Sequence, residues 1–151
     1  MPHRALSILD SVTALLEAGG YFGGRIYKAR VRSVGEADGE VPCALVYALD
    51  DVPLSPSGND SFGLIDSALT LSVITVAQAS DEASLVDELI EQRRQVHLAL
   101  MADQLLGLPF VSGTRYAGAL TPTIDDSGSR LVGRLESRWT VIYRMNLADP
   151  A

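Results

Sequence analysis

Residues 129–146 read SRLVGRLESRWTVIYRMN, and apolar and charged side chains alternate along them with a period of two. Successive side chains of a β-strand point to opposite faces, so this period predicts one long strand with an apolar and a charged face. The apolar face needs a core, and the charged face must then meet water or another subunit. The first face would carry Leu131, Leu135, Trp139, Val141, Tyr143 and Met145, and the second Arg134, Glu136, Arg138, Thr140 and Arg144.

Two segments have the apolar spacing of amphipathic helices that could cover such a sheet. Residues 4–18 form the first, and two glycines at 19–20 stop the pattern. Residues 80–107 form the second, with a cap at Ser80 or Asp81, acidic side chains in the early turns and arginines later, as the helix dipole favours. Its buried stripe is expected to comprise Leu85, Val86, Leu89, Ile90, Val96 and Leu100.

The remaining segments predict further strands, bounded by turns and by one long loop at residues 50–61. These strands are expected, in chain order, at residues 25–34, 43–49, 62–79 and 114–125. The order α-β-β-β-α-β-β predicts an α+β fold, with a single mostly antiparallel sheet and two helices packed on one face. The length of 151 residues, without an internal repeat or a linker, predicts a single domain over 1–151.

Charge and composition exclude several classes of protein. Asp and Glu number 19 against 12 Lys and Arg, which gives a formal charge of −7 and argues against a protein that wraps DNA. Cys43 is the only cysteine, so no disulfide can form within the chain, and we expect it in the core. Asp10 and Glu17 interrupt the N-terminal apolar pattern, unlike a signal peptide, and no stretch approaches the roughly 18 apolar residues of a membrane span. We therefore expect a soluble intracellular protein.

No arrangement of residues in the sequence predicts a catalytic, cofactor-binding or metal-binding site. His3 and His97 are the only histidines, and the patterns HExxH, CxxC, GxGxxG and GxSxG are all absent. We expect no catalytic residue, no cofactor and no metal site. The competing hypothesis is a small cytoplasmic α+β enzyme or ligand-binding domain that uses Asp50, Asp51 and His97. The simpler interpretations are a structural role for His97 in its helix and a solvated loop start at Asp50 and Asp51.

Four phrases along the chain carry a family resemblance, and together they cover nearly all of it. They are ILDSVTALLEA with GRIYKARVRSV, then VPCALVYALDD, then LVDELIEQRRQVHLALMAD with QLLGLPF after a long strand, and finally SRWTVIYRMNLADP. In this order they resemble the tail terminator family of long-tailed bacteriophages and prophages. The family usually carries Leu-Gly-Gly after its main helix, whereas residues 106–109 here read Leu-Gly-Leu-Pro.

The resemblance implies a structural protein of the virion and no enzyme. Such a protein forms a hexameric ring that caps the tail tube, terminates tube polymerisation and provides the joint to the head. Its partners would be copies of itself, the tail-tube protein and a head-completion or connector protein, with no membrane involved. DNA would pass through the lumen without specific binding. The expected location is the head-proximal end of the tail, and the host cytoplasm during assembly. Another head–tail neck or completion protein is the nearest alternative.

The resemblance also suggests roles for two sets of charged residues. Arginines suit fixed ion pairs across a subunit seam, and a ring of this kind uses two different patches of each subunit. The subunit-interface candidates are Arg30, Arg32, Arg134, Glu136, Arg138 and Arg144. A negative inner wall would let DNA pass, and the tube- or pore-facing candidates are Glu36, Asp38, Glu40, Asp50 and Asp51. The alternatives are a solvated sheet face and a charge spread over the outer surface for solubility.

Overall fold

The computed structural model describes residues 3–29, 41–54 and 63–151. Within these ranges it contains two helices and six strands, all in one sheet. The elements are α1 Arg4–Gly19, β1 Ile26–Lys28, β2 Cys43–Pro53, β3 Leu64–Ala79, α2 Glu82–Met101, β4 Val111–Ala119, β5 Thr123–Asp125 and β6 Leu131–Asn146. The expected α+β class, with helices packed on a sheet, is confirmed.

The sheet is built around its two longest strands. Its order is β1-β2-β3-β6-β4, and β5 pairs with β6 on the same edge as β4. β3 and β6 run antiparallel in unbroken register, from Leu64 opposite Asn146 to Ala79 opposite Leu131. β1 and β2 form a parallel pair, and the other pairings are antiparallel. The sheet is therefore mostly antiparallel, as the sequence predicts.

Both helices cover the same face of the sheet, which we call the helix face. α1 contacts β1 and β2, α2 contacts β3 and β6, and the two helices contact each other. Their apolar side chains share one core cluster with Trp139, Val141 and Tyr143 of β6. Burial of this cluster is the main driving force for folding. Cys43 is buried as predicted, in a smaller cluster with Leu45 and Val76.

Helix α2 begins close to its predicted start and ends before its predicted end. The carboxylate of its N-cap, Asp81, accepts a 2.9 Å hydrogen bond from the main-chain N of Ser84. The helix stops at Met101 rather than at residue 107. Just beyond, the Asp103 carboxylate accepts from the main-chain N of Leu105, a local bond that competes with helical pairing. Turns then continue to Phe110.

Two strand predictions need correction. β2 continues to Pro53, past residue 49, because a bulge between Ala48 and Asp51 lets the chain resume pairing with β3. The strand predicted at 114–125 is two strands, since the chain leaves the ladder at Leu120 and resumes at Thr123. Of the strand predicted at 25–34, β1 is the described part, and residues 30–34 lie outside the described residues.

The buried stripe of α2 also differs from its prediction. Leu85, Leu89, Val96 and Leu100 are fully buried, but Val86 and Ile90 are exposed. The buried position between Leu89 and Val96 belongs instead to Gln92, whose Nε2 donates a 3.1 Å hydrogen bond to the main-chain O of Val76. The i, i+4, i+7 spacing of helix packing therefore includes a polar residue that hydropathy does not reveal.

Candidate functional site

The strand β6 has the two faces that its sequence predicts. Trp139, Val141 and Tyr143 point to the helix face and are fully buried. Their alternating neighbours lie on the opposite face, together with the β3 residues that pair with them. We call this set the polar face, and it comprises Asp66, Ser72, Arg134, Glu136, Arg138 and Arg144.

Asp66 and Arg144 stand directly opposite each other on the polar face. The guanidinium donates from Nε to Oδ1 at 2.8 Å and from Nη2 to Oδ2 at 3.2 Å. These hydrogen bonds, with the charge of Arg144, hold the pKa of the Asp66 carboxyl below its usual value. A two-pronged contact of this kind orients both side chains, although an exposed pair contributes little to stability.

Glu136 is the centre of a second group on the same face. Its Oε1 accepts from Nε of Arg138 at 3.0 Å and from Oγ of Ser72 at 2.8 Å. Three of the predicted interface residues, Glu136, Arg138 and Arg144, are therefore held by partners within the subunit. The fourth described candidate, Arg134, lies near Asp125, whose pKa is lowered by hydrogen bonds from Ser127 and further by the Arg134 charge.

Asp51, a predicted pore residue, is anchored in the structure on the helix side of the sheet. Its Oδ2 accepts from the Tyr143 phenol at 2.5 Å, and its Oδ1 accepts from Oγ of Ser67 at 2.5 Å. Burial, together with the hydrogen bond to Asp51, raises the pKa of the Tyr143 phenol. Asp50 is exposed, and within the described ranges it forms no hydrogen bond or ion pair.

The structure does not bring Asp51 and His97 together. The His97 ring lies 5.4 Å from the Trp139 ring and 5.7 Å from the Tyr116 ring, centroid to centroid. Asp51 contacts Tyr143, which is four residues further along β6 and so about 13 Å from Trp139. His97 is one edge of an aromatic cluster. His3 caps α1, where its Nδ1 accepts from the main-chain N of Ala5 at 3.1 Å.

Five of the charged candidates lie outside the described residues, so their roles stay predictions. They are Arg30, Arg32, Glu36, Asp38 and Glu40. Among the residues that the structure does describe, no group of three or more His, Cys, Asp or Glu side chains could hold a metal ion. In the same ranges, neither helix combines the length and the apolar character that crossing a bilayer requires.

Sequence reasoning missed the apolar residues that remain exposed at the edges of the sheet. On one edge these include Ile90, Leu98 and Tyr116, and on the other Leu49, Val52 and Leu54. Ile90 could have been recognised by its position beside the i, i+4 stripe of α2, but the exposure of Val52 depends on which strands pair. The sequence matches no protein-family model and no curated protein.

Proposed function

We propose that this chain is the tail terminator of a long-tailed phage or prophage, a non-enzymatic subunit of a hexameric ring that caps the tail tube. The ring stops tube polymerisation and presents the joint to the head. The four family-like phrases support the proposal, and they lie in a chain with the α+β fold that its order of elements predicts. Its partners are further copies of the chain, the tail-tube protein and a head-completion protein.

The polar face is the observation that carries the proposal. The closing phrase of the resemblance, SRWTVIYRMN, builds the central strand β6, which buries one face and leaves a charged array on the other. The side chains of this array are already oriented by Asp66–Arg144 and Glu136–Arg138 contacts. Preoriented groups lose less side-chain entropy when a partner binds, so such a face suits repeated contacts in an assembly.

The negative charge of the chain supports a passive route for DNA. Each copy carries a formal charge of −7, so a ring of copies repels phosphate unless basic side chains line its lumen. We place acidic side chains toward the pore, and the candidates remain those named from the sequence. Of the two that the structure describes, Asp51 is held by Tyr143 and Ser67, and Asp50 has no side-chain partner in the described ranges, which leaves it free for a contact outside the subunit.

Tube growth in the presence of the protein tests this function. Purified tail-tube protein from the same genome is allowed to polymerise with and without the chain, and tube length is measured by electron microscopy. We expect the chain to bind tube ends and to shorten the tubes as its concentration rises. Tubes of unchanged length, with the chain absent from their ends, would refute the proposal. If loss of the protein leaves tail length normal but prevents joining of the head, the chain is instead another head–tail neck component.

A paired exchange tests the polar face within that function. Glu136→Arg combined with Arg138→Glu keeps the intramolecular ion pair and reverses its polarity toward any partner. We expect this variant to fold normally and to lose tube capping. Arg94→Glu combined with Glu91→Arg exchanges an exposed i, i+3 pair on α2 and is the matched control. Full capping by the polar-face variant would exclude this face as a contact.

A further inference from the structure

Exposed apolar side chains gather in a groove at one edge of the sheet, between α2 and β4. Ile90 is 54% exposed, Leu98 51% and Tyr116 42%. Arg93, Arg94 and His97 line the same groove. We call this surface the α2–β4 patch. Large apolar side chains clustered beside an edge strand are typical of a contact surface.

A second apolar surface lies at the opposite edge of the sheet, on the part of β2 beyond its pairing with β1. β1 pairs only with Ala44–Val46, so the following residues of β2 have no strand on that side within the described ranges. There Leu49 is 43% exposed, Val52 55% and Leu54 40%. We call these three residues, with Asp50, the β2 patch.

The two patches are complementary in charge as well as in apolar character. Arg93 in the α2–β4 patch is exposed, and it forms no ion pair with any residue that the structure describes. Asp50 in the β2 patch is exposed and equally unpartnered. Opposite charges beside matched apolar surfaces steer association and fix the register of a contact.

We propose that the α2–β4 patch of one copy binds the β2 patch of the next copy, head to tail. The biological role of this seam rests on the proposed ring, whereas the contact itself can be measured on the purified chain. A contact between two different patches leaves one of each free at the ends, so copies add until the assembly closes. Strands twist by about 20–25° from one to the next, so the two edges are rotated relative to each other and successive copies turn. Asp50 then belongs to the seam and not to the pore.

Two variants, each lacking one patch, test the seam. Ile90→Asp with Tyr116→Asp disables the α2–β4 patch, and Val52→Asp with Leu54→Asp disables the β2 patch. All four residues are exposed, and circular dichroism checks that each variant is folded. Leu6→Asp and Leu147→Asp, at exposed apolar positions away from both patches, are the controls. Association is followed by sedimentation velocity and native mass spectrometry over a concentration series.

The mixture of the two variants gives the decisive result. We expect the unmodified chain and the controls to associate with rising concentration, and each patch variant alone to remain monomeric. Loss of one interface hot spot weakens binding at least about 30-fold. Mixed at equal amounts, the two variants should form a heterodimer that grows no further, because each retains one working patch.

Other outcomes overturn the seam or separate it from the tail function. An unmodified chain that stays monomeric throughout, or patch variants that assemble like the controls, would overturn it. So would a patch variant that pairs with itself. If the heterodimer forms but the unmodified chain does not cap tail tubes, the seam stands and the tail-terminator function fails. If the seam fails but the unmodified chain caps tubes, the tail function stands with its contacts elsewhere.

Discussion

The phenol of Tyr143 donates a 2.5 Å hydrogen bond to Oδ2 of Asp51, which links β6 to β2 across the intervening strand β3. Ser67 of β3 donates to the other carboxylate oxygen. One carboxylate thus joins three strands at one end of the sheet. Both donors, Tyr143 and Ser67, are fully buried, whereas the Asp51 carboxylate that accepts from them is exposed.

Removing the phenol should destabilise the protein. Tyr143→Phe leaves the apolar ring in place but deprives Asp51 of a donor, and we expect a loss of about 1–3 kcal/mol in the free energy of unfolding. Urea denaturation measures it. Tyr116→Phe, at a ring that is largely exposed, is the control and should change stability by less than about 0.5 kcal/mol. Equal effects of the two substitutions would show that the bond contributes nothing.

Alkaline pH should affect two tyrosines in particular. Burial and hydrogen bonds to carboxylates raise the pKa of Tyr21, which donates to Glu88, and of Tyr143 above the ordinary value of 10.0. The folded state therefore holds these protons more tightly than the unfolded state. Their contribution to stability is complete below pH 10 and is lost as pH rises toward the folded-state pKa values. Phenolate absorbance during titration should show a late phase that Tyr21→Phe and Tyr143→Phe each reduce.

The Asp66–Arg144 pair should be visible in an acid titration. Hydrogen bonds from Arg144 lower the pKa of Asp66 below its usual 3.8, so the contribution of the pair is present above that value and is lost as pH falls through the folded-state pKa. Carboxyl NMR of Arg144→Gln should place the Asp66 pKa higher than in the unmodified chain. Arg138→Gln, which removes a different pair on the same face, should leave the Asp66 titration unchanged.

Gly133 is required by close packing between β6 and α2. A Cβ at this position would lie 2.8 Å from Cδ1 of Leu89 and 3.1 Å from both Cδ atoms of Leu85, and both leucines are fully buried. Gly133→Ala should therefore cost about 1–3 kcal/mol of stability through overpacking. Gly113→Ala, whose Cβ would meet nothing within 4 Å, is the control. In a Leu89→Val background the cost should fall, and a double-mutant cycle in urea would measure that coupling.

The acidic residues predicted to face the pore at positions 36, 38 and 40 provide a test of the proposed lumen. Simultaneous substitution of Glu36, Asp38 and Glu40 by lysine should permit assembly but slow DNA ejection, with relief by added salt, because new positive charges would hold phosphate. Fluorescence of a DNA-binding dye follows ejection. The control changes three exposed acids elsewhere to lysine, namely Glu17, Asp126 and Asp149. Normal ejection by the triple variant would exclude these three residues from the pore wall.

The parts of the fold that the sequence predicts are those in which burial leaves a periodic pattern. β6 is half-buried along its whole length, so its period of two reports both faces correctly. The stripe of α2 is predicted at Leu85, Leu89, Val96 and Leu100 for the same reason. The prediction misses Gln92, which is buried because its side chain donates a hydrogen bond to the main-chain O of Val76. A hydropathy pattern does not identify a buried polar residue of this kind.

The candidate sites were less predictable, because they depend on pairings between distant segments. Asp51 follows an apolar strand and resembles a loop residue, and only the bulge after Ala48 returns it to the ladder beside Ser67. The β2 patch exists because β1 is short and pairs in parallel with one part of β2. Neither the length of a pairing nor its direction is encoded in local periodicity.

The β3–β6 ladder joins segments that are far apart along the chain, which has a consequence for folding. The nearest paired residues along the chain, Ala79 and Leu131, are separated by α2, β4 and β5, so a long loop must close before the ladder begins. During synthesis β3 emerges well before β6. Until β6 is available, only the helices can cover the apolar side of β3. Completion of the core is therefore a late, non-local event, and we infer that folding is slow for a chain of this length. Because the surfaces that contact other copies form only when the core is completed, an unfinished chain is less able to associate with other copies.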